Sequence, residues 1–166
     1  MPKVFLALAL LGALMPAPAL ATAQFPDIIF IDGQKHFLYS NPLEKYYGPD
    51  NPRPQFRSPN TANWRGYVAV WEIDRGMLYL KEIQAWTDKG EVGLDALFPG
   101  HQGRVPATWF SGTLRVPEGK VINYVHMGYL SVHERDLVIT LEKGKVVKKE
   151  VIDNTKGLNP PKPPTP

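Results

Sequence analysis

Short apolar runs separated by tight, glycine-containing turns are the feature that most constrains the fold of this chain. The clearest example is the dipeptide Asp32-Gly33, which lies between the strand-like segments Asp27–Ile31 and Gln34–Tyr39. Aspartate followed by glycine readily adopts the positive φ angles of a type I′ turn, which joins two antiparallel strands. The sequence therefore predicts a β-hairpin at the start of the folded domain.

Further along the chain, six segments have the composition of strands: Gly66–Ile73, Met77–Trp86, Ala107–Val116, Lys120–Leu130, Leu137–Glu142 and Lys145–Ile152. The turns predicted between successive pairs are Asp74-Arg75-Gly76, Pro117-Glu118-Gly119 and Lys143-Gly144. The two segments with helical signals, Asn41–Tyr47 and Leu94–Phe98, are too short for a crossover between parallel strands. Local hairpins throughout the chain favour antiparallel pairing. We therefore predict an all-β fold, an antiparallel barrel or sandwich of about seven to eight strands with one or two short helices.

The first 23 residues have the pattern of a cleavable secretory signal, with a lysine at position 3, the uncharged run Val4–Leu14 and a small-residue end. The apolar run is 11 residues long, whereas a helix that crosses a bilayer needs about 20. Cleavage could follow Ala19, Ala21 or Ala23, and we favour the last two because either leaves the first predicted strand intact. The pattern predicts an exported protein, in the periplasm or the medium, with no stable membrane anchor after cleavage.

Behind this leader, residues 24–155 have the length and composition of a single β-rich domain. The chain contains no cysteine, which excludes disulfides, thiolate nucleophiles, cysteine-ligated metals and the lipid-attachment thiol of a bacterial lipoprotein. Residues 156–166 are rich in proline and poor in apolar side chains. That composition predicts a disordered tail that samples extended polyproline II conformations.

The charge of the chain is nearly balanced, +3 in the full sequence and +2 once the leader and its single lysine are removed. Attraction of nucleic acid or anionic lipid over a long range needs a dense basic patch. The single dense group consists of Lys143, Lys145, Lys148 and Lys149. Lysines on an edge hairpin discourage association between sheets, so we expect no nucleic-acid partner.

Gly48–Asn63 predicts a long loop, because four prolines among Asp, Asn, Ser and Arg residues disrupt both helical and strand periodicity. Structureless connections longer than about 12 to 15 residues tend to be functional or disordered. Arg57 lies in this loop, and Trp64 and Arg65 follow it. Their guanidinium groups suit an anionic ligand, and the indole ring suits a sugar or peptide. The alternative is that the arginines are solvated surface charges.

Three further residues, within or beside the predicted strands, are candidate ligand contacts: Glu72, Trp109 and Ser111. Glu72 is a carboxylate in a segment otherwise made largely of Val, Ala, Tyr and Trp. Trp109 could stack on a ligand, although strands equally bury such rings in a core. Ser111 precedes a glycine but lacks the second glycine of a nucleophile elbow, since Trp109 occupies that position.

The densest group of reactive side chains lies in Tyr124–Asp136, where two histidines, two carboxylates and an arginine fall within 11 residues. Imidazole and carboxylate groups transfer protons, and arginine stabilises developing negative charge. The candidate catalytic residues are His126, His133 and Glu134, and the candidate ligand contacts are Tyr129 and Arg135. The odd spacing of the histidines would place them on opposite faces of an unbroken strand. In that case the segment is an ordinary charged turn.

Motifs of familiar cofactor sites are missing from the sequence. It contains no glycine-rich phosphate loop, no Walker lysine motif and no His-Glu-x-x-His. The separation of His126 and His133 matches no established metal-binding spacing. We therefore expect neither a cofactor nor a metal.

Several segments together resemble an uncharacterised family of small bacterial proteins: Trp64–Tyr67, Trp71–Ile73, Ala107–Gly112, Tyr124–Tyr129 and Glu134–Asp136. The resemblance spans about residues 27–150. It brings no assigned substrate, cofactor or mechanism. It implies a bacterial source, and hence the periplasm or the medium as the destination of an exported chain.

These observations leave three hypotheses for function. The one we favour is a non-enzymatic exported β domain that binds a small ligand or a protein through the proline loop and Tyr124–Asp136. The second is a hydrolase-like enzyme that uses His126 or His133 with Glu134 and Arg135, which requires those side chains to converge in one pocket. The third is a structural or inhibitory protein of the cell envelope, which would present a flat apolar patch.

Overall fold

The computed structural model describes residues 23–156, which form nine strands in one mixed sheet and very little helix. The strands are β1 (Asp27–Ile31), β2 (Gln34–Leu38), β3 (Tyr67–Asp74), β4 (Met77–Thr87), β5 (Gly90–Val92), β6 (Val105–Pro106), β7 (Gly112–Asn123), β8 (Val132–Glu142) and β9 (Lys145–Asp153). Two 3₁₀ turns, Pro42–Lys45 and Thr61–Asn63, and one short helix, α1 (Leu94–Leu97), complete the secondary structure. The predicted leader, apart from Ala23, and the predicted tail, apart from Lys156, lie outside the described residues.

The strand order across the sheet is β2-β1-β3-β4-β9-β8-β7, with β5 and β6 paired to β4 off this path. The sheet is not closed, although its two end strands approach each other where the Tyr39 N–H donates to the Arg115 carbonyl of β7 at 2.8 Å. The all-β prediction is confirmed. One pairing, β1 with β3, is parallel, because the long connection from Tyr39 to Gly66 carries the chain back before β3 begins.

The predicted hairpin turns form where glycine allows positive φ angles. Asp32 and Gly33 have φ angles of 51° and 78°, and Lys143 and Gly144 have 47° and 79°, as type I′ turns require. The β3–β4 turn is shorter than the three residues predicted from Asp74-Arg75-Gly76. Asp74 pairs with Met77, so that Arg75 and Gly76 alone form the turn.

The turn predicted at Pro117-Glu118-Gly119 is wrong, and so is the strand predicted to return from it at Lys120–Leu130. β7 runs through the Pro-Glu-Gly segment as far as Asn123, and its return strand is β8. A register shift between Glu118 and Val121 absorbs the irregular backbone there. Proline is tolerated because β7 lies at the end of the sheet order.

The hydrophobic core draws on both halves of the sheet and forms one contiguous cluster. The largest fully buried apolar side chains on the strands alternate with less buried ones: Ile29, Leu38, Tyr67, Trp71, Leu78, Leu80, Leu114, Val116, Ile139 and Leu141. In β3, every second residue from Tyr67 to Trp71 is buried, as expected when one face of a strand meets the core. This core holds the two halves of the sheet together without any disulfide.

A buried ion pair adjoins this core. The side chains of Asp27 and Arg65 are 0% and 2% exposed, and Arg65 Nη2 lies 3.1 Å from Asp27 Oδ1. The same carboxylate accepts hydrogen bonds from the Ala69 backbone N–H at 3.2 Å and from Trp71 Nε1 at 3.1 Å. Desolvation raises the pKa of Asp27 to about 6, although Arg65 and the two hydrogen bonds act to lower it. Asp27 therefore ties β1 to β3 and to the segment that precedes β3.

We expect the contribution of Asp27 to the free energy of unfolding to fall as the pH rises from 4 to 7. The pKa of about 6 in the folded chain exceeds the ordinary value of 3.8, so in this range the folded state binds the proton more tightly than the unfolded state. Urea unfolding of the wild type and of Asp27→Asn isolates the effect. The wild-type advantage should be about 2 kcal/mol smaller at pH 7 than at pH 4. An advantage that grows with pH would contradict this sign.

Candidate functional site

A cleft opens on the surface between the proline loop (Gly48–Asn63) and helix α1, and we call it the proline cleft. Its main part has a volume of about 460 Å³. The floor is apolar and is made by Pro54, Val92, Ala96 and Leu97. The rim is polar and is made by Gln55, Thr87, Asp88 and Lys89. Such a combination of apolar floor and few polar groups is typical of sites for small ligands.

A second cavity of about 210 Å³ adjoins the first and shares Pro54, Ala96 and Leu97 with it. It adds two aromatic rings and three residues of the loop: Tyr46, Tyr47, Asp50, Asn51 and Pro52. The two cavities therefore adjoin, and the second adds aromatic rings to the mainly aliphatic apolar lining of the first.

Gly66 fixes the wall of the cleft that the proline loop forms. Its φ angle is +77°, and a Cβ at this position would lie 2.7 Å from both the Arg57 carbonyl oxygen and Phe56 Cβ. The loop can approach so closely because glycine has no side chain. A backbone hydrogen bond holds the loop there, since Arg57 N donates to Trp86 O at 2.7 Å, and Trp86 N in turn donates to Gly66 O at 2.9 Å.

An aromatic cluster supports the cleft from beneath. The Tyr46 ring lies 4.9 Å from the Phe98 ring and 4.8 Å from the Trp109 ring, and Phe98 stacks on Trp109 at 5.7 Å. The Trp109 indole N–H donates to the Pro42 carbonyl at 3.3 Å. Helix α1 ends at the buried Phe98. The cluster therefore anchors both α1 and the tyrosine end of the cleft to the core.

Two arginines of the proline loop are held in ion pairs. Arg57 forms an ion pair with Asp88 at the rim, and Arg53 Nε lies 3.4 Å from the Glu44 carboxylate. Burial raises the pKa of the Tyr47 hydroxyl. That hydroxyl is buried and has no hydrogen-bond partner among residues 23–156. The Lys89 ammonium, by contrast, has no ion-pair partner within the described part of the chain, so that a cation is available at the rim.

Of the ligand-binding candidates near the proline loop, Arg57 alone reaches the cleft, through its ion pair with Asp88. Trp64 is 66% exposed and does not line the cleft. The Arg65 guanidinium is buried against Asp27 and also donates to the Phe25 carbonyl at 2.9 Å. Trp109 packs within the aromatic cluster beneath the cleft.

The other four ligand-binding candidates do not line the cleft, and each has its own partner. Glu72, on β3, forms an ion pair in which its Oε2 lies 2.5 Å from Arg104 Nη1. Ser111 Oγ accepts a hydrogen bond from the Lys143 backbone at 2.9 Å. The Tyr129 hydroxyl donates to the Phe25 carbonyl at 3.1 Å, and burial raises the pKa of Tyr129 to about 12. Arg135 Nε lies 3.6 Å from Glu118.

The three catalytic candidates each have different neighbours. His126 lies in the exposed β7–β8 loop, with Nδ1 2.7 Å from the Tyr124 hydroxyl. His133 lies in β8 with its ring edge-on to Tyr39 at 5.6 Å, and its buried Nδ1 has no hydrogen-bond partner in the described part of the chain. Glu134 Oε2 accepts from the Lys120 backbone at 3.1 Å. None of the three lines the proline cleft.

The sequence indicates one wall of the cleft, the proline loop, but not the other, which α1 forms. The proline content of Gly48–Asn63 indicated a functional surface, and Leu94–Phe98 was predicted to form a helical turn. No sequence signal placed this turn opposite the loop. The sequence therefore does not indicate Val92, Ala96 and Leu97 as candidate ligand contacts, because a helix of one turn is too short for its sequence to show what it packs against.

Comparison of the chain with models of protein families, with curated proteins and with solved structures gives no match. Within residues 23–156, no helix is long and apolar enough to cross a membrane. No group of three or more histidine or acidic side chains in the same residues is arranged to hold a metal ion. The geometry of the chain itself is therefore the basis for a functional proposal.

We expect Gly66→Ala to destabilise the protein more than Gly33→Ala does. Both glycines have φ angles near +78°, but a Cβ at Gly33 meets nothing within 4 Å, whereas one at Gly66 meets the proline loop. Each substitution incurs the left-handed penalty of about 1 to 2 kcal/mol, and overpacking adds about 1 to 3 kcal/mol at Gly66. Urea unfolding of the two variants measures the difference. Equal losses would show that the loop does not depend on this contact.

Proposed function

We propose that this chain is an exported β domain that binds a small amphipathic ligand in the proline cleft. The two adjoining cavities and the aliphatic floor suit a molecule with an apolar body. The tyrosine end suits a planar or aliphatic group that packs against a ring. The polar rim, with Lys89 as its available cation, suits an anionic or hydrogen-bonding end group.

The observation that carries the proposal is the open apolar floor of Pro54, Val92, Ala96 and Leu97 within a cavity of about 460 Å³. Pockets for small ligands commonly measure about 300 to 1,000 Å³ and are mostly apolar. Burial of this floor by an apolar ligand would contribute about 25 cal/mol per Å² removed from water. The cleft thus has both the size and the chemistry of a binding site.

Rigidity of the walls also supports binding. The loop is held to β4 by the backbone hydrogen bond from Arg57 N to Trp86 O, and α1 is anchored through Phe98 to the aromatic cluster. A cleft that is already formed loses little conformational entropy when a ligand enters. A molecule of modest size can then bind with useful affinity.

Export is a part of the proposal that depends on the leader, residues 1–23. A domain that binds a small molecule outside the cytoplasm needs a fold that tolerates oxidising conditions, and a chain without cysteine meets this need without any disulfide chemistry. Periplasm and medium suit the proposal equally.

The hydrolase hypothesis remains a prediction with weaker support from the geometry. Its candidates have separate partners: His126 contacts Tyr124, His133 contacts Tyr39, Glu134 accepts from Lys120 and Arg135 pairs with Glu118. A general base requires a partner that orients it and a cavity in which substrate can reach it. The proline cleft has neither histidine in its lining, so we favour binding without catalysis.

We expect Ala96→Trp to abolish ligand binding while leaving the fold intact. Ala96 is exposed and lies in both cavities, so an indole there fills the cleft without entering the core. The probe is a library of small amphipathic carboxylates and short peptides, screened by amide chemical shifts of the wild type. Compounds that bind should shift Thr87–Val92 and Ala96–Leu97, and the variant should lose these shifts.

Val121→Trp is the matched control, because it places the same ring at an exposed position on β7 that is outside the cleft lining. It should retain binding. If compounds bind both variants equally, or if wild-type shifts cluster at His126 and His133, the cleft is not the site. A screen in which no compound shifts the cleft residues would also refute the proposal.

A further inference from the structure

β9 has one edge that the rest of the sheet leaves open. It pairs along its length with β8, from Glu142↔Lys145 to Arg135↔Asp153, but with β4 at Met77↔Lys145 alone. The two strands diverge because β6 occupies the edge of β4 just beyond this pair, where Leu80 pairs with Val105. Beyond Val146, the second edge of β9 has no strand partner within residues 23–156.

Two hydrogen bonds show which backbone groups face this open edge. The Val146 N–H points away from β8 and donates to Gly76 O at 2.8 Å, whereas the Asn154 N–H points toward β8 and donates to Glu134 O at 2.9 Å. Amides an even number of residues apart face the same side of a regular strand. The register shift opposite Thr140 and Leu141 adds one residue to β9 and reverses the alternation. The outward-facing groups are therefore those of Lys149, Val151 and Asp153.

Three exposed apolar side chains lie among the charged residues of this strand. Val147 is 53% exposed, Val151 is 57% exposed and Ile152 is 46% exposed. Unpaired edges with apolar side chains tend to pair with another strand, and lysines normally oppose this. Here Lys148 and Lys149 are accompanied by acidic residues on the same strand, so that the strand is complementary to itself.

We propose that two copies of this chain associate through β9, antiparallel, about a twofold axis at Val151. In this register Val151 faces Val151 of the other copy, and Lys149 faces Asp153 of the other copy on both sides of the axis. All three positions face the open edge, so the pairing allows about six backbone hydrogen bonds. Opposite charges directly across two strands stabilise the pairing, and the two sheets become one continuous sheet.

The neighbouring symmetric register is less favourable. An axis at Lys149 would place two lysines opposite each other, which destabilises a strand pair. It would also place Val147 opposite Val151, although Val147 is the extra residue that the register shift leaves without a partner in β8, where the regular alternation of backbone groups is interrupted. Charge and backbone direction therefore favour the same axis, at Val151. A strand-to-strand contact this short buries little area, so the association is weak and depends on salt.

A single introduced cysteine tests the register, because the wild-type chain has none. Val151→Cys places the thiol of one copy opposite the same thiol of the other copy. The two Cα atoms would be about 5.5 Å apart, a distance that a disulfide can span. Mild oxidation of the full mature chain should convert most of this variant to a covalent dimer. Val147→Cys is the matched control on the same strand, with similar exposure, and should remain largely monomeric. Equal cross-linking of both variants would overturn the register.

A charge exchange tests the contact without any covalent bond. Lys149→Glu and Asp153→Lys each create two like-charge pairs in their own dimers, and each should weaken self-association about tenfold in analytical ultracentrifugation. Mixing the two variants restores opposite charges at both pairs, and the mixture should dimerise about as well as the wild type. Circular dichroism verifies folding of each variant.

Wild-type chains that stay monomeric at the highest soluble concentration would overturn the proposal, as would dimers that all variants form equally, because such dimers use another surface. If Asp153→Lys fails to fold, the cysteine pair still decides the question. Binding of compounds in the proline cleft is unaffected by either result, since none of these residues lines the cleft.

Discussion

The buried pair of Asp27 and Arg65 is the interaction on which the arrangement of this fold depends. It joins β1 to the short segment just before β3, and the two residues are 38 positions apart in the sequence. Burial of charge in such a place is costly, and for Asp27 this cost outweighs the attraction of Arg65, because desolvation raises the pKa of the carboxyl to about 6. The Trp71 indole and the Ala69 amide bind the same carboxylate. Asp27 thus specifies the parallel register of β1 and β3, which no local turn could set.

From Arg65 a series of contacts extends to the proline loop. The Arg65 carbonyl accepts from Arg53 Nη2 at 2.8 Å, and Arg53 in turn pairs with Glu44, which accepts from the Tyr67 hydroxyl at 2.8 Å. The guanidinium of Arg53 also lies 4.9 Å from the Phe56 ring. The proline loop is therefore held through Arg53 by residues that surround the buried pair. A loop that sequence composition alone describes as irregular becomes a wall of the cleft, because Arg53 and Arg57 have partners elsewhere in the fold.

The sequence predicted those features that depend on a few neighbouring residues, above all the hairpin turns. Asp32-Gly33 and Lys143-Gly144 formed their hairpins because positive φ angles are a property of the turn itself. Pro117-Glu118-Gly119 has the same composition as a turn, yet pairing with β8 carried β7 straight through it. Arg65 reads as a solvated arginine beside a loop, since nothing in its neighbourhood indicates that a carboxylate 38 residues earlier would bury it. The same reason explains why only part of the cleft could be predicted. The proline content of Gly48–Asn63 indicates a loop, whereas the packing of that loop against α1 is a long-range contact that the sequence does not show.

β4 links the cleft to the open edge. It pairs with β3 along one side, and its other side is divided among β5, β6 and the first residue of β9. The hairpin with β5 brings Thr87, Asp88 and Lys89 to the rim of the cleft. The short β6 then covers the stretch that β9 would otherwise occupy, and β9 is left with one edge exposed to solvent. A sheet that closed fully would have no such edge, and a β4 paired with β9 along its whole length would have no room for β5 beside the proline loop. The cleft and the open edge of β9 are thus two consequences of one division of β4 among several partners.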